Sequence, residues 1–213
     1  MSKKIKERVG EIVILIHGLW MNGREMIVLE KRLQQDGFRT RCFSYNTMTD
    51  DLEQSAGKLF TFVRKLGEKR IHFVCHSMGG LLLNRMLSIH NLDWQGRAVL
   101  LGSPLAGNRV AQTLKGSLIG ETLVGRNLQN LSSGCTSWPD GYEIGVIGGT
   151  LNVGTGLLFG GWKHPGDGLV ALDEIIVPGV KDTFYVRTTH FGLVFSSICA
   201  RETSNFLQNG CFG

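Results

Sequence analysis

Apolar residues along the chain follow two rhythms. Glu11-Ile12-Val13-Ile14-Leu15-Ile16 is a short, continuous apolar run rich in β-branched residues, the pattern of a parallel strand buried on both faces. Further strands are expected at Thr40 to Tyr45, Ile71 to Cys75, Ala98 to Leu101, Ile144 to Ile147 and Thr183 to Val186. Between them the period lengthens. Met26, Leu29 and Leu33 share a helical face within Arg24 to Gln35, and Gly37 ends it. Leu52, Leu59, Phe60, Val63 and Leu66 share another within Asp50 to Leu66, with Asp50 or Asp51 as the cap. Met78 to His90 and Phe195 to Leu207 complete the expected helices, with a further one around Arg109 to Leu118.

Strands alternating with helices predict an α/β fold, three layers deep, with about six mostly parallel strands and right-handed crossovers. No internal repeat or linker divides the 213 residues, so a single domain over 1–213 is expected. Two irregular stretches, 105–140 and 150–164, are candidate flaps over a site.

From Ile144 to Trp162 no residue is charged, a length sufficient to span a bilayer. Seven glycines in that stretch make a poor membrane helix, and a buried strand followed by an apolar loop is the better reading. The basic start, with Lys3, Lys4, Lys6 and Arg8, precedes an apolar run too short for a signal peptide. The net charge of +5 shows no basic stripe interleaved with aromatics, so nucleic acid is not an expected partner. Five cysteines at spacings that match no metal site suit a reducing, cytoplasmic setting. Neither the histidine spacing nor the glycine-rich stretches predict a metal, nucleotide or other cofactor.

Ligands of open α/β sheets bind beyond the carboxyl ends of the strands. The expected strands deliver His17-Gly18-Leu19-Trp20, then His76-Ser77-Met78, then Gly102-Ser103-Pro104, then the stretch reaching Asp167, and finally His190. A serine, an acid and a histidine therefore share one edge. A serine hydroxyl needs a base to become a nucleophile, which His190 can be. The imidazolium needs an orienting carboxylate, which Asp167 can supply. The oxyanion needs fixed N–H donors, available from Met78 at a helix start and Leu19 in the loop after the first strand.

In these residues the chain resembles the small lipases and esterases of the α/β-hydrolase superfamily. The matching segments are ILIHGLW, CHSMGG, GSPLAG, GDGLV and THFGLVFSS. Cys75 replaces the first glycine of G-x-S-x-G and is small enough for the same tight turn. The resemblance implies Ser77 as nucleophile, Asp167 as acid, His190 as base, and Leu19 and Met78 as oxyanion donors.

Ser77 alone also reads as a helix cap, and Asp167 as a turn residue with Asp173 its rival. Trp20, Met21, Leu105, Phe159, Trp162 and Phe191 are candidates to line an acyl pocket. His76 is expected to point away from Ser77's side chain, and His17 to shape the oxyanion loop. The expected activity is hydrolysis of lipid-like or otherwise apolar carboxylic esters, with transient contact at a membrane surface. A thioesterase, an acyltransferase or a binding protein that lost turnover are the alternatives.

Overall fold

A computed structural model of the protein describes residues 11–90, 95–154 and 164–213. Six strands form one sheet: β1 (Glu11–Ile16), β2 (Arg39–Phe43), β3 (Arg70–His76), β4 (Arg97–Leu101), β5 (Glu143–Gly149) and β6 (Val180–Val186). Their order is β2-β1-β3-β4-β5-β6, and every neighbouring pair is parallel. The chain steps from β1 to β2 in one direction and builds β3 to β6 in the other. The reversal opens a crevice at the carboxyl ends of β1 and β3.

The pleat sorts the strand residues into two cores. Ile12, Ile14 and Ile16 of β1 face one side with Ile71, Phe73 and Cys75 of β3, while Val13, Leu15 and Val74 face the other. On the first side lie α2 (Leu52–Leu66) and α3 (Met78–Ile89), with the short helices α4 (Arg109–Leu114), α5 (Leu118–Val124) and α6 (Leu128–Ser133). On the second lie α1 (Ile27–Gln35), α7 (Gly192–Phe195) and α8 (Ser197–Asn209). Burial on both faces explains the unbroken apolar runs in β1 and β4.

Local signals set the element ends. Asp51 caps α2 through a reciprocal capping box with Gln54, and Gly67 ends the helix in a left-handed conformation. The helix expected over Arg109 to Leu118 stops at Leu114, because Ser117 caps a new helix through Gly120. The closing helix is split at Ser196, whose extended backbone and hydroxyl cap α8. Strand β2 ends at Phe43, before the expected Tyr45, whose ring instead stacks on His17. No described helix is long and apolar enough to cross a membrane.

The turn between β3 and α3 lies against the end of β1. A methyl group on Gly79 would sit 2.7 Å from the Ile16 carbonyl oxygen and 2.8 Å from that of His17. Both obstacles are backbone atoms, one in the central strand β1 and one in the residue after it, and cannot step aside. Gly79→Ala is expected to destabilise the protein by about 1–3 kcal/mol through overpacking, read as a lower urea midpoint at unchanged m-value.

Candidate active site

Strand β3 ends at His76 and α3 begins at Met78, so Ser77 must reverse the chain alone. It does so at φ 54°, ψ −124°. Ser77 and Trp20 are the two non-glycine residues with positive φ among those described. Such a conformation costs of order 1–3 kcal/mol and persists where the surroundings over-determine it. Here they do. The Ser77 amide donates to the Leu101 carbonyl of β4 at 2.9 Å, and the Ser77 carbonyl accepts from Gly80 at 3.1 Å. Gly18 closes in from the other side, where an added methyl would come within 2.8 Å of the Ser77 Cβ. Cys75 is fully buried among core residues on the α2–α3 side, and burial pushes its thiol pKa well up.

Asp167 lies in the segment between β5 and β6 and is almost completely buried. One carboxylate oxygen accepts from the Leu169 and Val170 amides at 3.0 and 2.8 Å. The other accepts from His190 Nδ1 at 2.7 Å. The His190 amide also donates to the Asp167 carbonyl at 2.9 Å, so acid and imidazole are joined twice. Gly102 makes room for the pair, since a methyl there would lie 3.0 Å from the Asp167 carboxylate and 3.1 Å from His190 Nδ1. Asp173, the rival acid, is exposed and bonded by both terminal nitrogens of Arg109, which holds its carboxyl below the usual range.

Ser77 and His190 line one cleft with Leu19, Trp20, His76, Pro104, Phe191 and a wall of aliphatic residues from α4 to α6 and the Asp167 segment. The cleft is a slot of about 60 Å³. Trp20 is 51% and Phe191 46% exposed, so both line the slot and are also open to water. The Trp20 indole donates to the Leu123 carbonyl at 2.5 Å, tying the loop after β1 to α5. Leu105 does not line the slot. It is fully buried in the core, and its predecessor Pro104 faces the slot instead. Phe159 and Trp162 lie outside the described residues, as does most of the expected apolar flap.

The loop after β1 is held by His17. Its Nε2 accepts from the Tyr45 amide at 3.2 Å, so Nδ1 carries the proton and donates to the Gly18 carbonyl at 2.9 Å. The Tyr45 hydroxyl donates back to the His17 carbonyl at 3.0 Å. The Trp20 amide is taken up by the Thr47 hydroxyl at 3.1 Å. The Met78 amide opens a twelve-residue helix, where N–H groups have no intrahelical acceptor.

Three features went unread in the sequence. His76 turns its ring toward His190, with centroids 4.8 Å apart, and its Nε2 meets the His190 carbonyl at 3.1 Å. The strand pleat carried the signal: if Cys75 faces α2 and α3, its neighbour faces the side of α7, where His190 arrives. Asn108 caps α4 through the Ala111 amide and donates to the Leu169 carbonyl and the Glu174 carboxylate, each at 2.9 Å. Glu174 is buried and also accepts from the Arg109 and Ala171 amides, at 2.7 and 3.0 Å. Together they clamp the Asp167 segment to the slot wall.

No protein-family profile and no curated protein matches the chain. Solved structures do. The lipase BlEst2 of Bacillus licheniformis in mature form superposes with a TM-score of 0.72 at 19% identity, covering 85% of each chain. The metagenomic carboxyl esterase MGS0156 gives a TM-score of 0.69 at 16% identity, over 88% of this chain and 66% of that one. Carboxylesterase CesB (YbfK) from Bacillus subtilis gives 0.58 at 14% identity, over 95% and 85%. With its parallel six-stranded sheet, the chain has the α/β-hydrolase fold.

Two imidazoles at the site are held neutral. Burial pushes His76 down to about 3, helped by the neighbouring His190, and burial lowers His17. The unfolded chain takes up these protons near ~6.5 and the folded protein resists them. Stability is therefore fully present above that pH and falls as the pH drops below it. The fall due to His76 approaches about 1.4 kcal/mol per pH unit. Urea unfolding between pH 7 and 5, where carboxylates stay ionised, is expected to show this slope, and His76→Gln to flatten it by about one proton.

Proposed function

We propose that the protein is a serine hydrolase that cleaves carboxylic esters of apolar acyl groups through an acyl-enzyme. The observation that carries the reading is the buried Asp167–His190 hydrogen bond, at 2.7 Å, opening on the same slot as the strained Ser77. Asp167 occupies Nδ1 of His190, which leaves Nε2 to serve as base. Ser77 Oγ attacks the ester carbonyl while His190 takes its proton. The carbonyl electrons collect on an oxyanion that accepts from the Met78 and Leu19 amides. When they return, the bond to the alcohol breaks, and His190 gives the alcohol its proton. Water, deprotonated by the same imidazole, then attacks the acyl-Ser77 ester and frees the acid and the enzyme.

The walls support an apolar substrate class. Val110, Ala111, Leu114, Val124 and Leu131 offer an acyl chain an aliphatic lining, and Asn108 is tied up in its own hydrogen bonds. So small a volume, about 60 Å³, favours a slim unbranched chain over a branched or aromatic acid. Trp20 and Phe191, half exposed at the slot, favour an apolar ester body outside it and brief contact with a lipid surface. The five unbridged cysteines support a reducing, cytoplasmic setting.

Ser77→Ala is expected to abolish hydrolysis of p-nitrophenyl esters. Asp167→Asn should lower kcat by about 10⁴-fold, while Asp173→Asn leaves it unchanged. Loss in the Asp173 variant alone would assign the acid differently. Initial rates on p-nitrophenyl hexanoate are expected to exceed those on the branched pivalate, and the reverse order would refute the slot as the acyl site.

A further inference from the structure

We infer that His76 is a positioning residue for the base: its imidazole, one peptide bond from the nucleophile, holds the His190 backbone in register with Ser77. The inference rests on the reading of Ser77 and His190 as nucleophile and base.

The chemistry of the contact fixes its direction. A carbonyl oxygen only accepts, so the 3.1 Å contact from His76 Nε2 to the His190 carbonyl requires the proton on Nε2. Met21 Sδ, at 3.3 Å from Nδ1, competes for the same proton, but a thioether sulfur is a weak acceptor and the carbonyl oxygen a strong one, so the neutral ring keeps its proton on Nε2. The titratable groups that bear on this ring are His190, Asp167 and His17. Among them a neutral His76 is the form that burial favours, so the donor persists across the working pH range.

The contact also does what the others cannot. The two bonds between His190 and Asp167 fix the base against the acid segment. Neither fixes it against β3, which carries the nucleophile. The first turn of α7 employs the Thr189 and Gly192 carbonyls, for the Leu193 and Ser196 amides. The His190 carbonyl is met by His76, on the strand that delivers Ser77. The acid–base couple is thereby tied to the elbow by a side chain that is itself fully buried. Freed from that tie, His190 keeps its bonds to Asp167 but loses its distance to Ser77 Oγ. A misplacement of about 1 Å in a reacting pair can cost about 100-fold in rate.

The test is steady-state kinetics on p-nitrophenyl butyrate for wild type, His76→Phe and His76→Gln, with folding checked by thermal melts. Phenylalanine fills the space without donating, and glutamine keeps an N–H donor. His76→Phe is expected to lower kcat by about 10- to 100-fold with KM changed less than about threefold, and His76→Gln to recover most of the loss. A kcat within about twofold of wild type in His76→Phe, or equal losses in both variants, overturns the inference. If His76→Phe does not fold, ¹⁵N NMR of the wild type decides. A His76 that carries a proton on Nε2 at pH 6 to 8 supports the tie, and a neutral ring protonated only on Nδ1 overturns it. Activity that survives Ser77→Ala removes the underlying reading instead. Loss in Ser77→Ala beside an unimpaired His76→Phe removes this inference alone.

Discussion

The backbone of the turn after β3 touches the backbone at the end of β1 with no room for a methyl group between them. Gly79 and Gly18 make that approach, and the geometry of the slot depends on it. It brings the loop after β1 beside Ser77 and sets the start of α3 under the serine. It also braces the positive φ of Ser77 from two sides. A serine at that angle in an ordinary connection would relax. Here β1, β4 and α3 hold it, and Ser77 lines the crevice where the sheet order reverses.

Around this turn Asp167, His190 and His17 are buried and hydrogen-bonded. Asp167 spends its carboxylate on two amides and one imidazole, and His17 bridges β1 to Tyr45. Burial holds His76 and His17 toward their neutral forms in the interior. The apolar half of the slot is supplied separately, by short helices that the chain inserts between β4 and β5. Clamped by Asn108 and Glu174, that wall and the acid segment form one piece, so the width of the slot and the placement of Asp167 are linked.

The fold was largely legible in the sequence because a strand buried on both faces leaves an unbroken apolar run. Strands β1 and β4 are legible this way, and β3 is so but for His72. The edge strand β6 was read three residues short, since Val180-Lys181-Asp182 is half exposed and carries little apolar signal. Ser77, Asp167 and His190 could be nominated because each follows a strand, and the structure draws them to one crevice. The roles of His76 and Glu174 were not visible. His76 lies next to the serine, and only the pleat, once fixed, sends it toward His190. Glu174 is an acid in an apolar stretch whose partners, Asn108 and Arg109, are more than 60 residues away in sequence. Leu105 was misjudged for a similar reason: the turn at Gly102-Ser103-Pro104 decides which neighbour faces the slot.

Reaction of the intact protein with a fluorophosphonate, followed by mass mapping of the modified peptide, tests the nucleophile most directly. An ordinary serine does not attack such a reagent, and one activated by an adjacent base does. One adduct per chain on Ser77, lost in His190→Ala, is the expected result. No adduct under conditions that label a known serine esterase, or an adduct on another residue, would contradict it.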